Sequence, residues 1–259
     1  MEISTLNASP RLNYLRLRKK NQNFIFFKIK KEFFKISANG VSLNAWMIKP
    51  PNFDPSKKYP VYFNVYGGPG HNEVLDSWDG SDFMYHQLLA QKGYIIFSVD
   101  PRGTMYQGTK FKKSTYLELG KLEIEDIINS AKELTKLPYV DGNRIGITKG
   151  ADVFKMAIAV APVTNWRYYD NIYTERFMRT PAENEAGYDG NSPINFVDKM
   201  KGKFFLIHGS ADDNVHYQNS MEMINALVKA NKQFDLFIYP DRNHGIYGGN
   251  TRNHLFTMM

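Results

Sequence analysis

Apolar residues in this chain fall into short β-rich runs separated by longer amphipathic stretches. Phe33 to Ser37 and Val41 to Lys49 flank Ala38-Asn39-Gly40, and Asn-Gly between two apolar runs predicts a strand–turn–strand unit. Tyr59 to Val65 predicts a strand that runs into Tyr66-Gly67-Gly68-Pro69-Gly70. Asp82 to Lys92 has a helical pattern that Gly93 should stop, and Tyr94 to Val99 is apolar enough for a strand buried on both faces. Leu122 to Leu134 predicts an amphipathic helix, acidic in its first turn as the helix dipole favours. Further strands are predicted at Asn143 to Thr148, Met156 to Val160, Phe204 to His208 and Leu236 to Tyr239. The clearest helix is Tyr217 to Ala230, with Met221, Ile224, Leu227 and Val228 at helical spacing. Strands alternating with helices predict an α/β domain with a mostly parallel sheet. No internal repeat or low-complexity tract interrupts it.

One connection departs from this pattern. Only Lys149 to Lys155 separate the strands Asn143 to Thr148 and Met156 to Val160. Adjacent parallel strands ordinarily need a crossover of a dozen or more residues, usually a helix. Either these strands are not parallel neighbours, or a strand–helix connection is absent between them.

Composition narrows the class. The chain has 259 residues, enough for one large α/β domain, and no apolar run long enough for a spanning helix. It has no cysteine, which excludes disulfides and thiol catalysis and leaves the compartment open. The longest N-terminal apolar run, Phe24 to Phe27, is too short and too late for a secretory core, so no signal peptide is expected. Net charge is +7, and residues 1 to 35 carry an excess of seven by themselves, nine Lys/Arg against Glu2 and Glu32. A domain built to grip a phosphate backbone would carry that excess on its folded surface. A solvated basic extension is expected instead, with no nucleic-acid partner.

Candidate chemistry lies in the last quarter. His208-Gly209-Ser210-Ala211-Asp212-Asp213-Asn214 follows one apolar strand, and Asp241-Arg242-Asn243-His244-Gly245 follows the next. Open α/β sheets place their sites beyond the C-terminal ends of strands. Asp212 followed by His244 matches the last two members of the order Ser, Asp, His used by α/β hydrolases. Taken singly, Asp212 also suits a turn or helix cap, and His244 suits an ordinary polar loop.

From about Glu32 to Met259 the sequence resembles the catalytic domain of the prolyl oligopeptidase family, nearest to its dipeptidyl peptidase IV branch. The motifs that carry the resemblance are Asn64-Val65-Tyr66-Gly67-Gly68-Pro69, Asp100-Pro101-Arg102-Gly103-Thr104, Ala161-Pro162-Val163-Thr164-Asn165-Trp166, Tyr168-Tyr169-Asp170, Tyr173-Thr174-Glu175-Arg176 and the stretches around Asp212 and His244. The resemblance implies an α/β-hydrolase fold, with Asp212 as triad acid and His244 as general base. It implies Tyr66 as an oxyanion-hole donor, Tyr169 and Tyr173 as walls of the pocket that receives proline, and Asn214 as a group that orients the substrate carbonyl. For the three tyrosines, aromatic core packing is the competing reading of the residues alone. The implied substrate is a peptide with Pro or Ala at its second position, cleaved as an N-terminal dipeptide. No cofactor or metal is implied. Family members are often homodimers and often periplasmic or secreted.

The sequence departs from the family pattern in three places. The family follows its Arg-Ile-Gly-Ile strand with a Gly-x-Ser-x-Gly elbow and a helix. Here Arg144-Ile145-Gly146-Ile147 runs on through Thr148-Lys149-Gly150-Ala151 to Asp152-Val153-Phe154-Lys155, so the nucleophilic serine is absent. This is the connection that strand spacing already marks as too short. Ser42 and Ser192 each stand two residues after a glycine, but Asn44 and Ile194 occupy the second glycine positions. The family's N-terminal β-propeller has no counterpart, and the sequence ends at Met259 within the helix that follows His244. The expected organisation is residues 1–32 as a basic extension left from the propeller junction and residues 33–259 as the catalytic domain, truncated at its C-terminus. Three functional readings follow: a proline-directed serine peptidase by descent that lacks its nucleophile, a non-catalytic peptide-binding module, and a gene fragment without function.

Overall fold

A computed structural model describes residues 29–147 and 154–259. Most of the basic extension and Thr148 to Val153 therefore lie outside the described residues.

The strands form one sheet of eight: β1 (Glu32–Ala38), β2 (Val41–Ile48), β3 (Tyr59–Phe63), β4 (Ile95–Asp100), β5 (Val140–Ile147), β6 (Met156–Val160), β7 (Lys203–Gly209) and β8 (Asp235–Tyr239). Their spatial order is β1-β2-β4-β3-β5-β6-β7-β8. The predicted hairpin pairs β1 with β2 antiparallel, and β2 runs antiparallel to β4. Every pairing from β4 through β3, β5, β6 and β7 to β8 is parallel. The helices are α1 (Gly80–Gln91), α2 (Thr109–Lys112), α3 (Lys121–Leu134), α4 (Asn171–Met178), α5 (Glu185–Gly190), α6 (Gln218–Lys229) and α7 (Thr251–Met258).

Successive strand residues point to opposite faces, so a strand covered on both sides is apolar throughout. All six residues of β4 are buried. Ile95 and Phe97 join Leu43, Ala45 and Met47 of β2 in a core against Ile127, Ala131 and Leu134 of α3. Ile96 points the other way and joins Trp46, Ile48, Tyr85 and Ala90. On β7 the same alternation sends Leu206 toward Met223 and Leu227 of α6, and Ile207 toward Leu255 of α7. Gly93 ends α1 as expected, at φ 90° with its N–H donating to Ala90 O. Among the described residues no helix is long and apolar enough to cross a membrane.

Two findings depart from the sequence pattern. The core-facing side of α6 is Asn219, Ser220, Met223 and Leu227; Met221 and Val228 are exposed. Polar contacts set that rotation. Asn219 Oδ1 accepts Thr164 N–H, Asn219 O accepts the Thr164 hydroxyl, and Ser220 Oγ lies 2.6 Å from His208 Nδ1. A periodicity count of apolar residues omits such anchors.

Secondly, β5 and β6 are parallel neighbours despite their short connection. They overlap at only two pairs, Gly146 with Met156 and Ile147 with Ala157. Because β6 begins level with the end of β5, the chain steps back about two residues rather than a strand's length. Lys155 anchors the return: its N–H donates to Ile145 O at 2.9 Å, and its carbonyl accepts Lys203 N–H at 3.1 Å. Phe154 is buried against Phe63. At the other end of the domain, Ile29 and Lys31 are tied to α1 and the loop before it. Ile29 exchanges hydrogen bonds with the Gln87 amide, and Lys31 pairs with Asp79.

Candidate active site

Asp212 lies three residues past the end of β7 and His244 five past the end of β8. The two loops are pressed together by Gly209, where a Cβ would stand 2.2 Å from Arg242 O. Ser210 N–H donates to Tyr239 O, Ala211 N–H to Arg242 O, and Asp241 N–H to Ser210 Oγ. This lacing brings His244 Nδ1 to 2.9 Å from Asp212 Oδ2. The Asp212 side chain is fully buried, and its Oδ1 accepts the N–H groups of Asn214 (2.9 Å) and Val215 (2.8 Å). Those donors offset the desolvation of a carboxylate.

Since the carboxylate only accepts, His244 Nδ1 carries the proton and Nε2 is left able to accept one. The His244 side chain is 40% exposed, with its backbone N–H on Asp213 Oδ1. Chemically, an imidazole oriented by a buried carboxylate can take a proton from a hydroxyl placed at its Nε2.

Behind Asp212 sits a residue the sequence reading did not single out. His208 is fully buried, with Nε2 2.9 Å from Val215 O and 3.0 Å from Asp212 Oδ2, and Nδ1 against Ser220 Oγ. Burial lowers its pKa, so the ring is neutral near pH 7. The one available signal was a histidine inside an otherwise apolar strand.

The aromatic candidates gather nearby. Tyr169 Oη donates to Asn214 Oδ1 at 2.8 Å, and its ring meets Tyr173 edge-on at 5.2 Å. Tyr173 in turn meets Phe177 at 5.0 Å. Gly68 admits both Tyr66 and Tyr173: a Cβ there would lie 2.6 Å from the Tyr66 ring and 3.1 Å from Tyr173 Oη. Tyr66 is 41% exposed and packs its ring on His71 at 4.4 Å. Burial raises the phenol pKa of all three, Tyr169 to about 12, so each keeps its proton as a donor at neutral pH. Asp100 braces the stretch after Tyr66 by accepting Asn72 Nδ2 (2.7 Å) and the N–H groups of Glu73 and Val74.

The serines that the sequence offers in place of the nucleophile sit elsewhere in the fold. Ser192 Oγ donates to Tyr188 O and accepts Trp166 N–H, Ser42 lies in β2 opposite Ser37, and Ser210 Oγ holds Asp241. Thr148 lies outside the described residues. A groove of about 380 Å³ is lined by Leu117, Glu118, Lys121, Asn184 and neighbours, with neither Asp212 nor His244 in its lining.

A mostly parallel sheet flanked by helices, with an acid after its penultimate strand and a histidine after its last, is the α/β-hydrolase arrangement. The sequence profile of the prolyl oligopeptidase family, peptidase S9, matches residues 81–259. The chain is 38% identical to a probable dipeptidyl-aminopeptidase B of Trichophyton verrucosum, covering 91% of this chain and 28% of that protein. It is 38% identical to the mouse prolyl endopeptidase FAP, covering 89% and 32%. A crystal structure of Porphyromonas gingivalis dipeptidyl peptidase 4 superposes with a TM-score of 0.84 at 46% identity, over 89% of this chain and 34% of that one. This chain belongs to the prolyl oligopeptidase family. It spans about a third or less of the length of these relatives.

Proposed function

We propose that this chain is a peptide-binding catalytic domain of dipeptidyl peptidase IV type that retains the acid, the base and the proline pocket but does not turn over. The observation that carries the reading is the 2.9 Å contact of Asp212 with His244 beside Tyr169 and Asn214, in a sequence that places no serine between Ile147 and Phe154. Asp212 holds the His244 tautomer, and His244 is the base. Tyr66 donates to a developing oxyanion, Asn214 orients the substrate carbonyl, and Tyr169 with Tyr173 receives a proline or alanine side chain at the second position. A flat, apolar ring gains burial between aromatic faces without requiring hydrogen bonds.

Without the serine no acyl-enzyme forms. What remains is the modest catalysis that binding and oxyanion donors alone supply. A fluorophosphonate probe with intact-mass readout tests this on folded protein. No adduct is expected. A stoichiometric adduct that His244→Ala abolishes overturns the reading, and peptide mapping then locates the hydroxyl. Titration with Xaa-Pro dipeptide amides tests the pocket: saturable binding weakened by Tyr173→Ala is expected, and its absence in a cooperatively folded protein removes the binding role.

A further inference from the structure

The Asp212–His244 pair is built from neighbouring loops, and one buried imidazole touches its acid from behind. His208 Nε2 stands 2.9 Å from Val215 O and 3.0 Å from Asp212 Oδ2. A bare nitrogen lone pair facing two oxygens at that range is repulsive, so Nε2 carries the proton and Nδ1 accepts from the Ser220 hydroxyl at 2.6 Å. Val215 ties this group back to the acid: its N–H donates to Asp212 Oδ1 while its carbonyl receives His208. His208, Ser220 and the side chain of Asp212 are fully buried, and the Tyr217 ring closes the site edge-on at 5.6 Å from the His208 ring. The charged and titratable groups facing the cluster are Asp212 itself, His244, and Asp213 through the His244 backbone.

We propose that His208 is a positioning residue for the Asp212–His244 pair: its Nε2–H holds the Val215 carbonyl and so keeps the Val215 N–H on Asp212 Oδ1, while the ring edge stands 3.0 Å from the Oδ2 that receives the His244 Nδ1 proton. Backbone donors hold Oδ1, and His208 lies in close electrostatic contact with Oδ2. With the carboxylate fixed, His244 is kept in the Nδ1–H form that leaves Nε2 able to act as a base. An imidazole without such a partner prefers to carry its proton on Nε2. The inference rests on the assignment of Asp212 and His244 as acid and base.

The test reads the His244 tautomer by nitrogen-15 NMR in the unaltered protein, in His208→Gln and in His208→Asn. A glutamine amide reaches the place of Nε2 and retains the donor, whereas an asparagine amide reaches only the place of Nδ1. The expected result is a predominantly Nδ1–H His244 in the unaltered protein and His208→Gln, and loss of that predominance in His208→Asn. A folded His208→Asn with His244 unchanged overturns the proposal, since a role limited to core packing would leave the tautomer alone. Should His208→Asn not fold, the unaltered protein decides. A neutral His208 protonated on Nε2 beside a Nδ1–H His244 supports the proposal, and a charged or Nδ1–H His208 overturns it. Dipeptide-amide binding on the same samples separates the two ideas. No binding together with the expected tautomers defeats the functional reading and leaves the positioning role standing.

Discussion

Glu123 gives the sharpest stability test. It is 2% exposed in the first turn of α3, where Gly120 N–H donates to its Oε2 at 3.0 Å, while Oε1 has no hydrogen-bond partner among the described residues. Burial raises its pKa from 4.5 to about 8. The folded chain therefore binds this proton more tightly than the unfolded chain. The resulting stabilisation is complete below about pH 4.5 and is lost as pH rises toward 8, at about 1.4 kcal/mol per pH unit. At pH 7, linkage between those two values makes the acid cost about 3 kcal/mol relative to a side chain of the same shape that never ionises. Glu123→Gln keeps the acceptor for Gly120 and places a neutral amide where Oε1 lies. The variant should be more stable than the parent by up to about 3 kcal/mol at pH 7, with the gain shrinking toward zero near pH 4.5. His86, pushed down to about 4 by burial, titrates in an overlapping window with the opposite sign. The readout is therefore the difference between the two proteins in urea unfolding from pH 5 to 8, in which His86 cancels. Parallel profiles for parent and variant would refute the assignment of Glu123 as a buried acid held neutral by the fold.

Three further outcomes are expected. Leu227→Ala empties a fully buried position between α6 and β7 and should cost about 2–5 kcal/mol in denaturant unfolding; a loss below about 1 kcal/mol would mean that this core is not packed as described. Tyr169→Phe removes the 2.8 Å bond to Asn214 and should weaken dipeptide-amide affinity by up to about tenfold in calorimetry, with unchanged affinity counting against Asn214 as an oriented group. If the chain pairs as family members often do, the exposed edge carrying Val228 and Leu236 is the surface to test. Val228→Asp should then shift sedimentation from dimer to monomer, whereas a parent that sediments as a monomer at high concentration removes the premise.

The α/β architecture was legible because two signals agreed. Apolar runs such as Ile95 to Val99 can only be strands covered on both faces, and they alternate with helices that carry their own stops, Gly93 among them. Asp212 and His244 were legible for a related reason, since strand ends fix where an acid and a base can meet. The rotation of α6 was hidden because it depends on Asn219 and Ser220, whose burial follows from partners 55 and 12 residues away. His208 was hidden likewise: a histidine in an apolar strand was its one local signal, and the partners that hold it, Ser220 and Val215, come from further along the chain. The short α4 and α5 escaped because their ends are set by single side-chain caps, Asp170 on Tyr173 N–H and Asn184 on Gly187 N–H, rather than by a periodic apolar face.

The acid and the base are held by contacts that lie within one half of the sheet. Each strand of the parallel run makes its own pairings, and the acid and base belong to the far half, on the loops after β7 and β8. What fixes them is local to that half: Gly209 against Arg242, Ser210 on Asp241, and the Asn214 and Val215 N–H groups on Asp212. None of these contacts involves β5. The pocket draws in the same way on Tyr169 and Tyr173 after β6, reached through a strand that needs only two residue pairs with β5 to stay in the sheet. Under the proposal that the elbow is absent, the nucleophile goes with it while the bonds that hold the pair together among the described residues remain. An ordered Asp212–His244 contact reports that β7 and β8 have packed. The hydroxyl that would use it is a separate requirement, and labelling chemistry is the measurement that addresses it.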